Sequence, residues 1–476
     1  MAKILSIGNG SFIKDNIFIS FWNSFLSLSR FEKIMFIVFF VIIAVTPYII
    51  ANYQIFSSRA QTVYNIETVS SGDWSNPSTW NINRVPTTND NVKIKPGHTI
   101  VYDVAKDDVL GELAIDGTLK FSRIANTRLK TNSNIFVNSG GFLDMGTPSD
   151  QIPKNVKAEV IWKLTQAQAA AYVGGFSVEP TDKGLWVLSG GRWETHGAPL
   201  LRTWSKLAAN AASGANTVTV DNDVSDWYIG GSAVITQTSI GVKGENQNEI
   251  RAVTALDKLS DGKTKITLDK PLAYLHEGTA PYKGEAGLLT RNILIKTELE
   301  GNELDYQRID DVNPRKFAHT IHRKGSLGNI QYTEFKYMGH ARKLSRYPVH
   351  VHQMGNTSQG MTIRGNGLWY TGFRWINIHS SAGVLTEDNV GFSSGGGGYY
   401  EEEDLIKQQP DDIYVGISKD IAFVHNLGVA SAGFQRSDCG MDPVASVCLK
   451  IGTFWPFNSE FCVYKIKGNF GIYPRP

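Results

Sequence analysis

Four stretches in the second half of the chain share one build. "GNIQYTEFKYMG", "SQGMTIRGNGLWYTG", "FRWINIHSSAGVLTEDNVGF" and "KDIAFVHNLGVAS" each hold short β-branched runs broken by Gly, Asn or Ser. Such runs suit strands, and the breaks suit turns. Strands that recur at a loose period, with no helical pattern between them, predict stacked coils of a parallel β-helix. His322, His350, His379, Glu401 and His425 stand 28, 29, 22 and 24 residues apart. Residues one coil apart stack in register, so these side chains are candidates for a ladder on one face. Chance spacing among several histidines is the alternative.

"RYPVHVHQMG" places His350 and His352 two apart in a β-branched run. A strand alternates faces, so both imidazoles point the same way. With His379 they offer three nitrogen ligands for a metal, or a proton-transfer group. Packing histidines are the plain alternative. "HTIHR" holds His319 and His322 three apart, a spacing that fits a helical turn better than a strand face and reads as a cap of one coil. "YYEEEDL" follows four glycines. Glu401 and Glu403 share a strand face there, about 7 Å apart by strand rise. Paired carboxyl groups at such separations perform glycoside hydrolysis. Glu402 and Asp404 in the same run make a candidate Ca²⁺ site, since Ca²⁺ takes carboxylate oxygens. A solvated acidic loop is the plain alternative.

Cations and aromatics surround these groups. Arg342, Lys343 and Arg346 precede the histidine strand and suit the carboxylates of an acidic sugar. Trp369, Trp375, Tyr399 and Tyr400 are candidate stacking platforms, or core residues. A polysaccharide lyase, which needs a base and a cation, fits the same inventory. "NTS" at Asn356 is a glycosylation sequon, of use only in a eukaryotic secretory pathway.

The first half has hairpin-like alternation in "DNVKIKPGHTIVYD", "LGELAIDGTLKFS" and "SNIFVNSGGFLDMG". Helical periodicity is confined to "TQAQAAAYVGG". The run "IMFIVFFVIIAVTPYIIA", residues 34–51, has the length of a bilayer span, with Lys3, Lys14, Arg30 and Lys33 before it. It predicts a single-pass signal anchor with the C-terminal part outside. If Met35 is the true start, the run is a signal peptide and the product is secreted. Net charge is +2, which gives no field to recruit nucleic acid. Cys439, Cys448 and Cys462 form no Cys-x-x-Cys pair, so a zinc ribbon is excluded.

"GDWSNPSTWNINRVPTTNDNVKIKPGHTIVYD" and the two runs after it resemble the G8 domain. The matching positions are Trp74, Trp80, Val85-Pro86, Asp90, Val92, Gly97, Gly117 and Gly141. Asn83 stands where that family usually has glycine; Asn is the next best residue for a left-handed turn. "RYPVHVHQMG", "INIHSSAGVLTEDNVGF" and "GGGGYYEEED" resemble the β-helix of cell-surface proteins that carry a G8 domain, a group with hyaluronan-binding members and fibrocystin. The resemblance implies an acidic polysaccharide partner such as hyaluronan, and either depolymerisation or binding alone. The expected fold is mainly β: a membrane helix, a G8 module, then a right-handed parallel β-helix. The expected segments are a tail (1–33), an anchor (34–51), a stalk (52–66), a G8 domain with extension (67–195), a connecting β region (196–285), a β-helix (286–435) and an irregular C-terminus (436–476).

Overall fold

The structure is a computed structural model. It describes residues 26–33, 35–36, 62–172, 178–179, 181–239, 246–307, 315–341, 343–403, 406–408, 413–415, 418–431, 446–449 and 461–464. From Ile66 onward the strands fall in turn on three parallel sheets. The first sheet has nine strands, from Ile66–Glu67 to Tyr399–Glu402. The second has nine, from Gly72–Asp73 to Ala422–Val424, and the third has eight, from Ala105–Leu110 to Leu427–Ser431. Leu113–Ile115, Thr118–Phe121 and Thr127–Thr131 make one complete coil, and Ile135–Val137, Phe142–Met145 and Ala158–Leu164 make the next. This is a parallel β-helix, and it begins inside the stretch that resembles a G8 domain rather than after it. Asn83 has φ 52°, the left-handed turn its place in that stretch requires.

One coil is interrupted. Between Arg192–His196 on the second sheet and Ile293–Leu299 on the third, the chain builds a separate six-stranded antiparallel sheet. That sheet closes its own core over Leu207, Val218, Trp227 and Ile266. The helical pattern near residue 165 yields one short helix, Gln166–Ala170, with Thr165 and Gln168 forming a capping box.

Two devices hold the later coils in register. Tyr332, Gly365, Asp388 and His425 occupy equivalent corners, each with positive φ. The residues after three of them are Asn366, Asn389 and Asn426, which form a ladder. Asn366 Nδ2 donates to Asn389 Oδ1 at 2.8 Å, and Asn389 Nδ2 donates to Asn426 Oδ1 at 2.8 Å. The same oxygens accept the backbone N–H of Asn366 and Asn389 at 2.9 and 3.0 Å. Inside, Val349, Val351, Ile376 and Ile378 join a continuous core that runs back to Trp74 and Trp80.

The anchor expected over 34–51 is corrected. Among the described residues no helix is long and apolar enough to cross a membrane. Residues 34 and 37–51 lie outside the described residues, as does most of the stalk. In the C-terminal segment, Ser446–Leu449 pairs antiparallel with Phe461–Tyr464, which sets Cys448 opposite Cys462.

Candidate functional site

Four adjacent strands of the first sheet carry the candidate residues: β1 (His319–Arg323), β2 (Val349–Gly355), β3 (Ile376–Ser381) and β4 (Tyr399–Glu402). Val349 and Val351 point into the core. Alternation therefore turns His350 and His352 to the outer face, as their spacing predicts. Register supplies the third imidazole. His352 pairs with His379, and His379 pairs with Glu402. Arg323 pairs with His352 from the other side. One outward column thus reads Arg323, His352, His379, Glu402. A second reads His350, Asn377, Tyr400.

The three histidines cluster. One ring nitrogen from each lies within 4.8 Å of the others. His352 Nδ1 and His379 Nδ1 share a hydrogen bond at 3.1 Å. The rings of His350 and His379 are parallel, with centroids 6.1 Å apart. All three residues are at most 2% exposed. Part of the cover is the loop before β2: Tyr347 meets His350 edge-on at 4.9 Å, and Phe373 stacks on Tyr347. Burial, and then the neighbouring imidazoles, hold His350 well below the usual histidine range, so it is neutral at pH 7. Gln353 and Ser380, which follow His352 and His379, have φ 49° and 41°. Left-handed residues in adjacent strands mark a stacked bulge beside the cluster, where bulges re-aim side chains.

The acidic end is held by a cation. Arg374 donates to Glu402 Oε2 at 2.7 Å and also to Asn377 Oδ1, while Asn377 Nδ2 reaches Glu402 at 3.3 Å. The Arg374 guanidinium lies over the Tyr400 ring, 3.5 Å from its centroid. Glu401 aligns with Ile378 and so belongs to the other register parity. The protein around its carboxyl, followed by the charges of Glu403 and Glu402, raises its pKa. Glu403 accepts from the Ser418 N–H at 2.8 Å. Arg342 and Asp404 lie outside the described residues.

Several candidates stand elsewhere. Arg346 is fully buried; it pairs with buried Asp182 at 2.6 Å and covers Trp186. Trp375 fills the core, and Tyr399 packs beside it while donating to the Leu427 carbonyl. Trp369 is on the third sheet, donating to Glu334, with Lys336 over its ring. Lys343 sits half-buried in the loop before β2. Asn356 is exposed and opens a 3-10 turn, Asn356–Ser358. His319 and His322 lie in a strand rather than in a turn, on opposite faces. His322 aligns with core residue Val351, stacks on Trp193 and leaves the ladder; burial pushes its pKa down to about 4. His425 is at a corner, bonded to Asp388. Arg323, Arg374 and Asn377 are site residues that the sequence did not single out.

Residues 79–208 match the G8 domain family, and residues 317–409 match the CEMIP beta-helix family. Two stretches of the chain thus resemble, in order, a G8 domain and a CEMIP beta-helix. The three histidines and Glu402 all lie within the second match. A G8 domain-containing protein of Dictyostelium discoideum is 27% identical over 78% of this chain and 25% of its own. Communication mutant protein F of the same organism is 27% identical, over 76% and 30%. Mouse fibrocystin-L is 27% identical over 67% of this chain and 8% of its own. The chain therefore spans a third or less of these relatives. Among solved structures, the tailspike of Acinetobacter baumannii bacteriophage AP22, in complex with a capsular saccharide, covers 59% of this chain and 41% of its own at 10% identity, with a TM-score of 0.18. An overlap that slight says nothing about what this chain binds.

Proposed function

We propose that this protein binds an acidic extracellular polysaccharide such as hyaluronan, and depolymerises it, on the outer face of the first sheet. The observation that carries the reading is the column Arg323, His352, His379, Glu402. Adjacent strands lie about 4.8 Å apart, so the column spans roughly 14 Å. It sets a cation at one end and a carboxylate at the other. A uronate sugar needs the first for its carboxylate, and cleavage needs the second as a base to accept a proton. Arg323 and Glu402 are partly exposed, so both ends are reachable.

A second reading, binding without cleavage, is favoured by the burial of the three imidazoles. Depolymerisation is measured as the shift in hyaluronan chain length after incubation with the full chain, and binding as retardation of labelled hyaluronan on a gel. The enzyme reading expects shortening by the wild type, and a loss of more than about tenfold in Glu402→Gln with retardation kept. Retardation without shortening leaves the binding module. A wild type that neither retards nor shortens hyaluronan sinks both.

A further inference from the structure

We propose that His350, His352 and His379 form a three-imidazole site for a divalent transition metal of the zinc class. The proposal stands apart from the polysaccharide reading and is tested separately. Its first support is backbone geometry. Two ligands come from one face of β2 and the third from the next strand, in register with His352. Such ligands are placed by sheet hydrogen bonding rather than by a loop, so their backbone positions are fixed before any ion arrives.

The second support is the proton inventory. The Ser345 carbonyl can only accept, so the proton at the 3.2 Å contact with His350 sits on Nδ1. That bond fixes the tautomer and leaves Nε2 as a bare lone pair. A backbone carbonyl on the far nitrogen is the usual outer-shell partner of a metal-bound histidine. His350 Nε2 is buried and has no hydrogen-bond partner among the described residues. Leaving a buried acceptor unsatisfied costs about 1–3 kcal/mol, which an ion would relieve.

The third support is distance. A tetrahedral zinc holds each nitrogen at about 2.1 Å, which places its ligands about 3.4 Å apart. The His352 and His379 Nδ1 atoms are 3.1 Å apart, and the one that carries their shared proton ligates once that proton moves to its own Nε2; no pair in the cluster exceeds 4.8 Å. Ring rotation covers the difference. Three imidazoles leave a fourth position open, as catalytic zinc sites do. The donors are nitrogen, so a Ca²⁺ ion, which takes oxygen, is not the occupant.

The test uses the full chain, stripped with a chelator and titrated with Co²⁺ as a coloured stand-in for Zn²⁺. The expected result is one Co²⁺ per chain with a tetrahedral visible spectrum, bleached by Zn²⁺. His352→Asn and His379→Asn should each weaken binding by more than about tenfold, while His98→Asn leaves it unchanged. If those variants fail to fold, X-ray absorption of the Zn²⁺-loaded wild type decides the matter without them. A first shell with three imidazoles upholds the site. A shell of oxygen or sulfur, or a folded wild type that takes up neither metal, overturns it. Hyaluronan retardation plays no part in either outcome, so this proposal and the polysaccharide reading fail independently.

Discussion

Arg346 looks from sequence like a cation waiting for a sugar. Its side chain and that of Asp182 are both fully buried, and the pair is closed at 2.6 Å, with a second contact from Nε at 3.1 Å. The guanidinium also covers Trp186. A charge this deep is tolerable only because its partner is present. Arg346→Met should therefore cost about 3–5 kcal/mol in a urea titration, since it strands the Asp182 carboxylate. Adding Asp182→Asn should return much of that loss. An Arg346→Met protein as stable as the wild type, yet deficient only in hyaluronan retardation, would restore Arg346 as a substrate contact. The same residue-scale logic governs the site. His350 and His352 share a face by alternation alone, which makes that pair legible in the sequence. Glu402 was less so. Register sets Glu402, one residue beyond Glu401, opposite His379, and one residue flips the face of a strand.

At the scale of elements, the coil is legible because each corner leaves the same mark. Tyr332, Gly365, Asp388 and His425 take the left-handed turn, and an Asn follows three of them. Spacing alone could not give the register, because loops of unequal length separate the strands; His322 keeps the period yet faces the core. Aromatic roles were hidden for a related reason. Trp375 is admitted to the core by neighbouring glycines: a Cβ on Gly391 or Gly398 would stand within 2.4 Å of its ring. Nothing in "FRWINIH" announces that. The asparagine ladder carries the element-scale prediction. Asn389→Ala removes the acceptor of the Asn366 backbone N–H and side chain, and the donor to Asn426 and to the Ile363 carbonyl. At about 1–3 kcal/mol for each buried group left unsatisfied, partly relieved by water, the expected loss is about 3 kcal/mol. It is read as a lower urea midpoint. Thr386→Ala, whose hydroxyl makes no hydrogen bond among the described residues, should lose less than half as much. Equal losses would mean that the ladder adds nothing beyond packing.

For the whole molecule, the buried histidines set the response to acid. Burial holds His319 and His350 well below the usual range, and pushes His322 and His340 down to about 4. In the unfolded chain all four titrate near 6.5. Between about pH 6.5 and pH 4 the unfolded chain binds protons that the native coil refuses, so stability is complete above pH 6.5 and falls as the pH drops. Four protons correspond to a slope of up to about 5 kcal/mol per pH unit. Part of it is offset by carboxyl groups whose pKa is raised on folding, Glu334 and Asp226 among them, because these favour the native state at low pH. In chelator, to keep metal from competing, the urea midpoint should fall steeply between pH 7 and pH 5. Replacing His322 by Phe, which keeps an aromatic ring on Trp193, should flatten the slope by about one proton. A midpoint indifferent to pH over that range would show that these imidazoles reach solvent. The histidine cluster would then be an open surface rather than a sealed one.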